Sequence, residues 1–134
     1  MRNTSWAAII SLGGVILAGS SFFYYYLGYR MMEEMLEDAS AHDALYSTMN
    51  LVWILTTISL FLCGVWAIFI GITIRKNLRY MKKQALTLGG GLLTFGIIGF
   101  LHTFPNWKLF IFIVVGCLIF IPGLFLSKQK GPYY

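Results

Sequence analysis

Four stretches of the chain are almost wholly apolar, and the charged residues are confined to the segments around them. The apolar runs cover residues 6–28, 49–74, 86–104 and 109–126. Each approaches or exceeds the ~20 residues that carry a helix across a ~30 Å hydrocarbon core at ~1.5 Å per residue. No Asp, Glu, Lys or Arg lies inside any of them. The pattern predicts an all-α integral membrane protein: a four-transmembrane-helix bundle, with residues 1–134 forming a single transmembrane domain. Residues 105–108 leave so short a turn that the third and fourth helices are expected to be antiparallel neighbours.

The start of the chain carries a competing pattern. Arg2, an apolar run and then Ala18-Gly19-Ser20 resemble a cleavable signal peptide. Phe22, Phe23 and Tyr24 to Tyr26 continue the run past that point, so the stretch is read as a retained span.

Basic residues set the expected orientation, because Lys and Arg near span ends tend to stay cytoplasmic. With the N-terminus inside, the inner segments hold Arg2, Arg75, Lys76, Arg79, Lys82, Lys83, Lys128 and Lys130, and the outer ones only Arg30 and Lys108. Both termini are therefore expected in the cytoplasm. Trp6, Tyr24 to Tyr26, Tyr29 and Trp107 fall at the predicted span ends, where amphipathic rings prefer the headgroup level.

Composition adds exclusions. The chain is 58% apolar and only 11% charged, whereas soluble domains are about one quarter charged. Its net charge of +5 is concentrated in the inner segments, so it reports orientation and lipid contact and not a nucleic-acid face. Cys63 and Cys117 both lie within spans without Cys or His at ligand spacing, and they read as small apolar side chains.

Small residues mark expected helix contacts, since association in lipid depends on close backbone approach. Gly14 and Ala18 have small-xxx-small spacing, as do Ala67 and Gly71; the third span adds Gly96 and Gly99 to a Gly89-Gly90-Gly91 run. That run is no phosphate loop, because it lacks a following Lys-Ser/Thr and opens a span. Pro122-Gly123 is expected to kink or loosen the last turn of the fourth helix.

Two loops carry the charge. Arg75, Lys76, Arg79, Lys82 and Lys83 form an inner basic segment suited to anionic headgroups. All five acids lie between Tyr29 and Ser47, in an expected outer acidic helical hairpin between helices 1 and 2. Met32, Met35, Leu36 and Ala39 share one helical face there, so the first helix is expected to run beyond the membrane. Glu33, Glu34, Glu37 and Asp38 then form an outward negative patch for a basic partner.

A metal site in this hairpin is weak. Glu34, Asp38 and His42 follow i, i+4, i+8 spacing, but the first and last stand ~12 Å apart along a helix, while zinc ligands sit ~2 Å from the ion. Asp38 and His42 remain as a pair lacking further ligands. Met31, Met35 and His42 suit Cu(I) by type and meet the same objection. Ser40 and Asp43 match a helix-start signature, which would place His42 on the second helix. His102, near the outer end of the third span, reads as a lone interfacial polar residue.

No Ser/His/Asp or Cys/His set gathers at one depth, so the expectation is no enzyme and no cofactor. No Asp, Glu, Lys or Arg lies within a span, which disfavours proton or ion handling. The expected role is a small accessory protein, a structural or assembly subunit of a larger membrane complex. Its expected partners are membrane lipids and other integral membrane subunits, not nucleic acid. A channel or transporter component built by oligomerisation is the alternative, and copper or zinc handling at the hairpin is the second.

Overall fold

A computed structural model describes residues 2–38, 43–74, 76–102 and 107–126, with the side chains at positions 2, 3, 32, 35, 36, 38, 44, 102, 107 and 108 left aside. The described residues form four helices: α1 (Arg2–Asp38), α2 (Asp43–Thr73), α3 (Leu78–His102) and α4 (Trp107–Phe125). Three contain segments long and apolar enough to cross a membrane by length and composition: Thr4–Met31, Leu45–Thr73 and Leu78–Leu101. The apolar part of α4, Leu109–Phe125, is shorter.

The helices form two antiparallel hairpins. In the first, Ala7 packs at the level of Gly71, Gly14 at Gly64 and Gly28 at Trp53. In the second, Gly123 lies against Ala85, Gly89 against Phe120 and Gly96 against Ile113. The hairpins meet mainly along α1 and α4, where Trp6 stacks on Phe125 with ring centroids 5.7 Å apart and Gly13 faces Ile119. The order around the bundle is thus α2, α1, α4, α3, and α2 barely touches α3.

Ile10, Leu17, Ile70, Val115, Ile119 and Leu126 are fully buried along the axis of the bundle. Ser21 is buried with them, and its hydroxyl donates to the Ala18 carbonyl at 2.6 Å, which satisfies that donor. The exterior is equally apolar: Leu12 and Phe22 on α1, Leu62 and Ile72 on α2, Leu101 on α3 and Leu124 on α4 are all exposed. Water would penalise so large a contiguous apolar surface at about 25 cal/mol per Å². Lipid removes that penalty, and a helix apolar all round is what a membrane span requires.

Two local features shape the ends. Asn77 precedes α3 and its side-chain oxygen accepts from the Tyr80 amide at 3.4 Å, an N-cap arrangement. Pro122 lies inside α4, which continues helically to Phe125; the Leu126 amide donates to the Pro122 carbonyl at 3.0 Å.

Candidate functional site

Glycine decides where α1 and α2 touch. A Cβ on Gly14 would lie 2.6 Å from the Gly64 carbonyl oxygen, and one on Gly64 would lie 2.6 Å from the Ala18 amide nitrogen. The backbones therefore meet directly, with no side chain between them. Ala67 is fully buried, and Gly71 sits against the Ala7 carbonyl and the Ser11 side chain. In the second hairpin, Gly96 faces Ile113 and Gly99 faces Leu109. Gly64 and Gly116 carry equally close approaches that small-xxx-small spacing did not single out. Gly64 falls seven residues before Gly71, a two-turn repeat that was the available signal for it.

The acidic end is built by α1 and α2 beyond their apolar runs. Glu33 is half-buried and accepts from the Tyr46 hydroxyl at 3.4 Å, while Glu34, Glu37 and Asp43 are exposed. Tyr25 and Tyr29 stack one turn below, at 6.2 Å. Asp38 ends α1, with its side chain outside the described residues, as is the whole of residues 39–42. The Ser40 helix start and the His42 ligand therefore lie outside the described residues. Among the described residues, no group of three or more His, Cys, Asp and Glu could hold a metal ion.

The basic turn divides into residues with different tasks. Arg75 lies outside the described residues, and Lys76, Arg79 and Lys83 are exposed. Lys82 turns to α4 instead: its ammonium donates to the carbonyls of Leu124 at 3.1 Å and Leu126 at 2.8 Å. A cation on the unpaired carbonyls of a helix C-terminus opposes the negative end of the helix dipole. Lys82 thus fastens the end of α4 to the start of α3, a role that no sequence pattern distinguished from that of Lys83.

Aromatic residues hold the level between these ends. Tyr24 stacks on Trp53 at 4.3 Å and 10°, with Gly28 leaving room for the indole. Trp53 Nε1, Asn50 Oδ1 and Trp6 Nε1 are buried without a hydrogen-bond partner, three polar atoms that apolar surroundings leave unsatisfied.

A further feature is the open seam between α2 and α3. It is a groove of about 340 Å³ lined by Val52, Thr56, Ser59 and Cys63 from α2 and Leu92 and Phe95 from α3. The Thr56 hydroxyl donates to the Val52 carbonyl at 2.8 Å, which turns its hydrogen back into the helix. Beyond Cys63 the two walls are bridged by Trp66 Nε1, which donates to Gln84 Oε1 at 2.8 Å. Comparison with protein-family models, with curated proteins and with solved structures finds no match to this chain.

Proposed function

We propose that this chain is a multi-pass membrane protein, with both termini cytoplasmic, that serves as an accessory subunit supporting the structure or assembly of a larger membrane complex. The observation that carries this reading is the apolar exterior around all four helices, combined with charge held only at the two ends. Such a body is built to sit in lipid and contact other helices, and its interior is filled by side chains such as Ile10, Ile70 and Ile119. The exposed acids Glu34, Glu37 and Asp43 offer a docking surface for a basic partner at one end. Lys76, Arg79 and Lys83 offer anionic headgroups a surface at the other, at about 1 kcal/mol per charge.

Purification of the full chain from its native membrane in mild detergent tests the proposal. The expected result is a fixed, larger partner recovered in constant ratio and weakened by the combined Glu34→Gln, Glu37→Gln change. Recovery only as a monomer or a closed homo-oligomer sinks the accessory role and favours a pore formed by oligomerisation.

A further inference from the structure

The two hairpins repeat one another contact by contact. A Cβ on Gly64 would lie 2.6 Å from the Ala18 amide nitrogen and 2.8 Å from the Gly14 carbonyl oxygen. On Gly116 it would lie 2.9 Å from the Leu93 nitrogen and 3.2 Å from the Gly89 oxygen. Gly14 in turn approaches the Ile68 nitrogen at 2.8 Å, and Gly89 the Phe120 nitrogen at 2.6 Å. One pair of offsets covers all of these contacts. Adding 75 takes α1 to α3 (Gly14 to Gly89, Ala18 to Leu93), and adding 52 takes α2 to α4 (Gly64 to Gly116, Ile68 to Phe120). At the other end of each hairpin Gly71 meets Ser11 and Gly123 meets Leu86, in the same register.

Burial follows the same offsets. Ile10, Gly13, Gly14, Leu17 and Ser21 are buried on α1, and so are their counterparts Ala85, Leu88, Gly89, Leu92 and Gly96 on α3. On α2 the buried Leu60, Gly64, Ala67, Ile70 and Ile74 are matched by Phe112, Gly116, Ile119, Pro122 and Leu126 on α4. A shared helical period would align buried faces, but it would not bring equivalent backbone atoms together. Because α1 and α3 run in the same direction and each helix of one hairpin meets one of the other, the hairpins are related by an approximate twofold axis parallel to the helices.

That symmetry makes the α2–α3 seam the counterpart of the α1–α4 seam. In the closed seam a Cβ on Gly13 would lie 3.5 Å from Leu118 and 3.2 Å from Ile119. The offsets set Trp66 and Ala67 opposite Leu88 at the equivalent level, so leucine replaces glycine and tryptophan replaces leucine. Gln84 stands where α1 has Ile9, and it accepts the Trp66 indole hydrogen at 2.8 Å. Helix spacing is set by the side chains at the contact. Two long side chains bonded end to end therefore hold α2 and α3 apart, and Cys63 is half-buried where its counterpart Val115 is fully buried.

We infer that the chain is a duplicated helical hairpin paired with itself about a twofold axis, and that Trp66 with Gln84 is a strut holding the second of two equivalent seams open. Each hairpin thus fits a partner built like itself, and the open seam is a built feature of the bundle. The inference is independent of the accessory role.

The test uses the full chain in mild detergent, in a Cys63→Ser, Cys117→Ser background. Nitroxide labels are placed two at a time on cysteines replacing Ile16, Leu62, Gly91 and Val114, all exposed and equivalent in pairs under the offsets. Pulsed double electron–electron resonance should give matching Ile16–Leu62 and Gly91–Val114 distances. The Leu62–Gly91 distance should exceed its counterpart, Ile16–Val114. Trp66→Leu combined with Gln84→Ile installs the residues that the closed seam carries at these positions. It should shorten Leu62–Gly91 by about 2 Å, the range over which contact side chains set helix spacing, and leave both distances within the hairpins unchanged.

Unequal Ile16–Leu62 and Gly91–Val114 distances overturn the repeat. A native Leu62–Gly91 distance no longer than Ile16–Val114 overturns the strut, as does one that stays the same or grows in the double variant. If the double variant loses helicity, Trp66→Leu alone is read in the same way. None of these distances depends on what co-purifies with the chain, so the accessory role stands or fails separately.

Discussion

Gly14 and Gly91 are both helical glycines in apolar surroundings, and only their neighbours tell them apart. A methyl group on Gly14 meets backbone atoms of α2 at 2.6 and 2.8 Å, whereas one on Gly91 meets nothing within 4 Å. Gly14→Ala should therefore force the helices apart at about 1–3 kcal/mol, the usual cost of overpacking. Gly91→Ala should leave stability unchanged or raise it by up to ~1 kcal/mol through helix propensity. Thermal unfolding in mild detergent reads both, and the opposite signs are the discriminating result. Lys82 and Lys83 form a similar pair. Lys82→Met removes two hydrogen bonds from the end of α4 and should lower stability by about 1 kcal/mol, while Lys83→Met should not. Faster hydrogen exchange at Leu126 in Lys82→Met, and not in Lys83→Met, would place the loss at the α4 terminus. From the sequence the two lysines are interchangeable, because the carbonyls that select Lys82 come from a helix more than forty residues away.

Among the elements, α1 and α2 are longer than a bilayer requires. At 37 and 31 residues they extend about 55 and 46 Å, against a ~30 Å hydrocarbon core. The excess carries Glu33, Glu34, Glu37 and Asp43, so the acids belong to helical extensions and not to an irregular loop. A cysteine at Glu37, in a Cys63→Ser, Cys117→Ser background, should react with a membrane-impermeant maleimide from outside the cell. Reaction only from the cytoplasmic side would reverse the proposed orientation. The extension of the first helix to Asp38 was legible because Met32, Met35 and Leu36 keep a helical period past the first apolar run, a pattern whose last member, Ala39, lies outside the described residues. The course of α4 through Pro122 was less so: proline lacks the amide that would pair with the carbonyl one turn earlier, yet the helix continues to Phe125.

For the whole molecule, the decisive property is that its surface is as apolar as its core. Ile72 is 70% exposed and Ile70 fully buried, two residues apart on one helix. The chain should accordingly stay in the membrane fraction through high salt and alkaline carbonate, which strip proteins held by charge alone; release under either would refute the membrane reading. Length, hydropathy and the placement of charge determined the helical class, the approximate helix ranges and the separation of acidic from basic ends. These follow from the chain because a membrane span must satisfy its own backbone and present apolar side chains along its full length. That Gly64 and Gly116 also touch, which lysine is bound, and which seam stays open were decided only by tertiary packing. In apolar segments every face is equally greasy, so periodicity carries no information about which face meets a neighbour. The α2–α3 groove is the clearest case: Val52, Thr56, Ser59 and Cys63 read as ordinary span residues until α1 and α4 hold the two hairpins together and leave α3 barely touching α2.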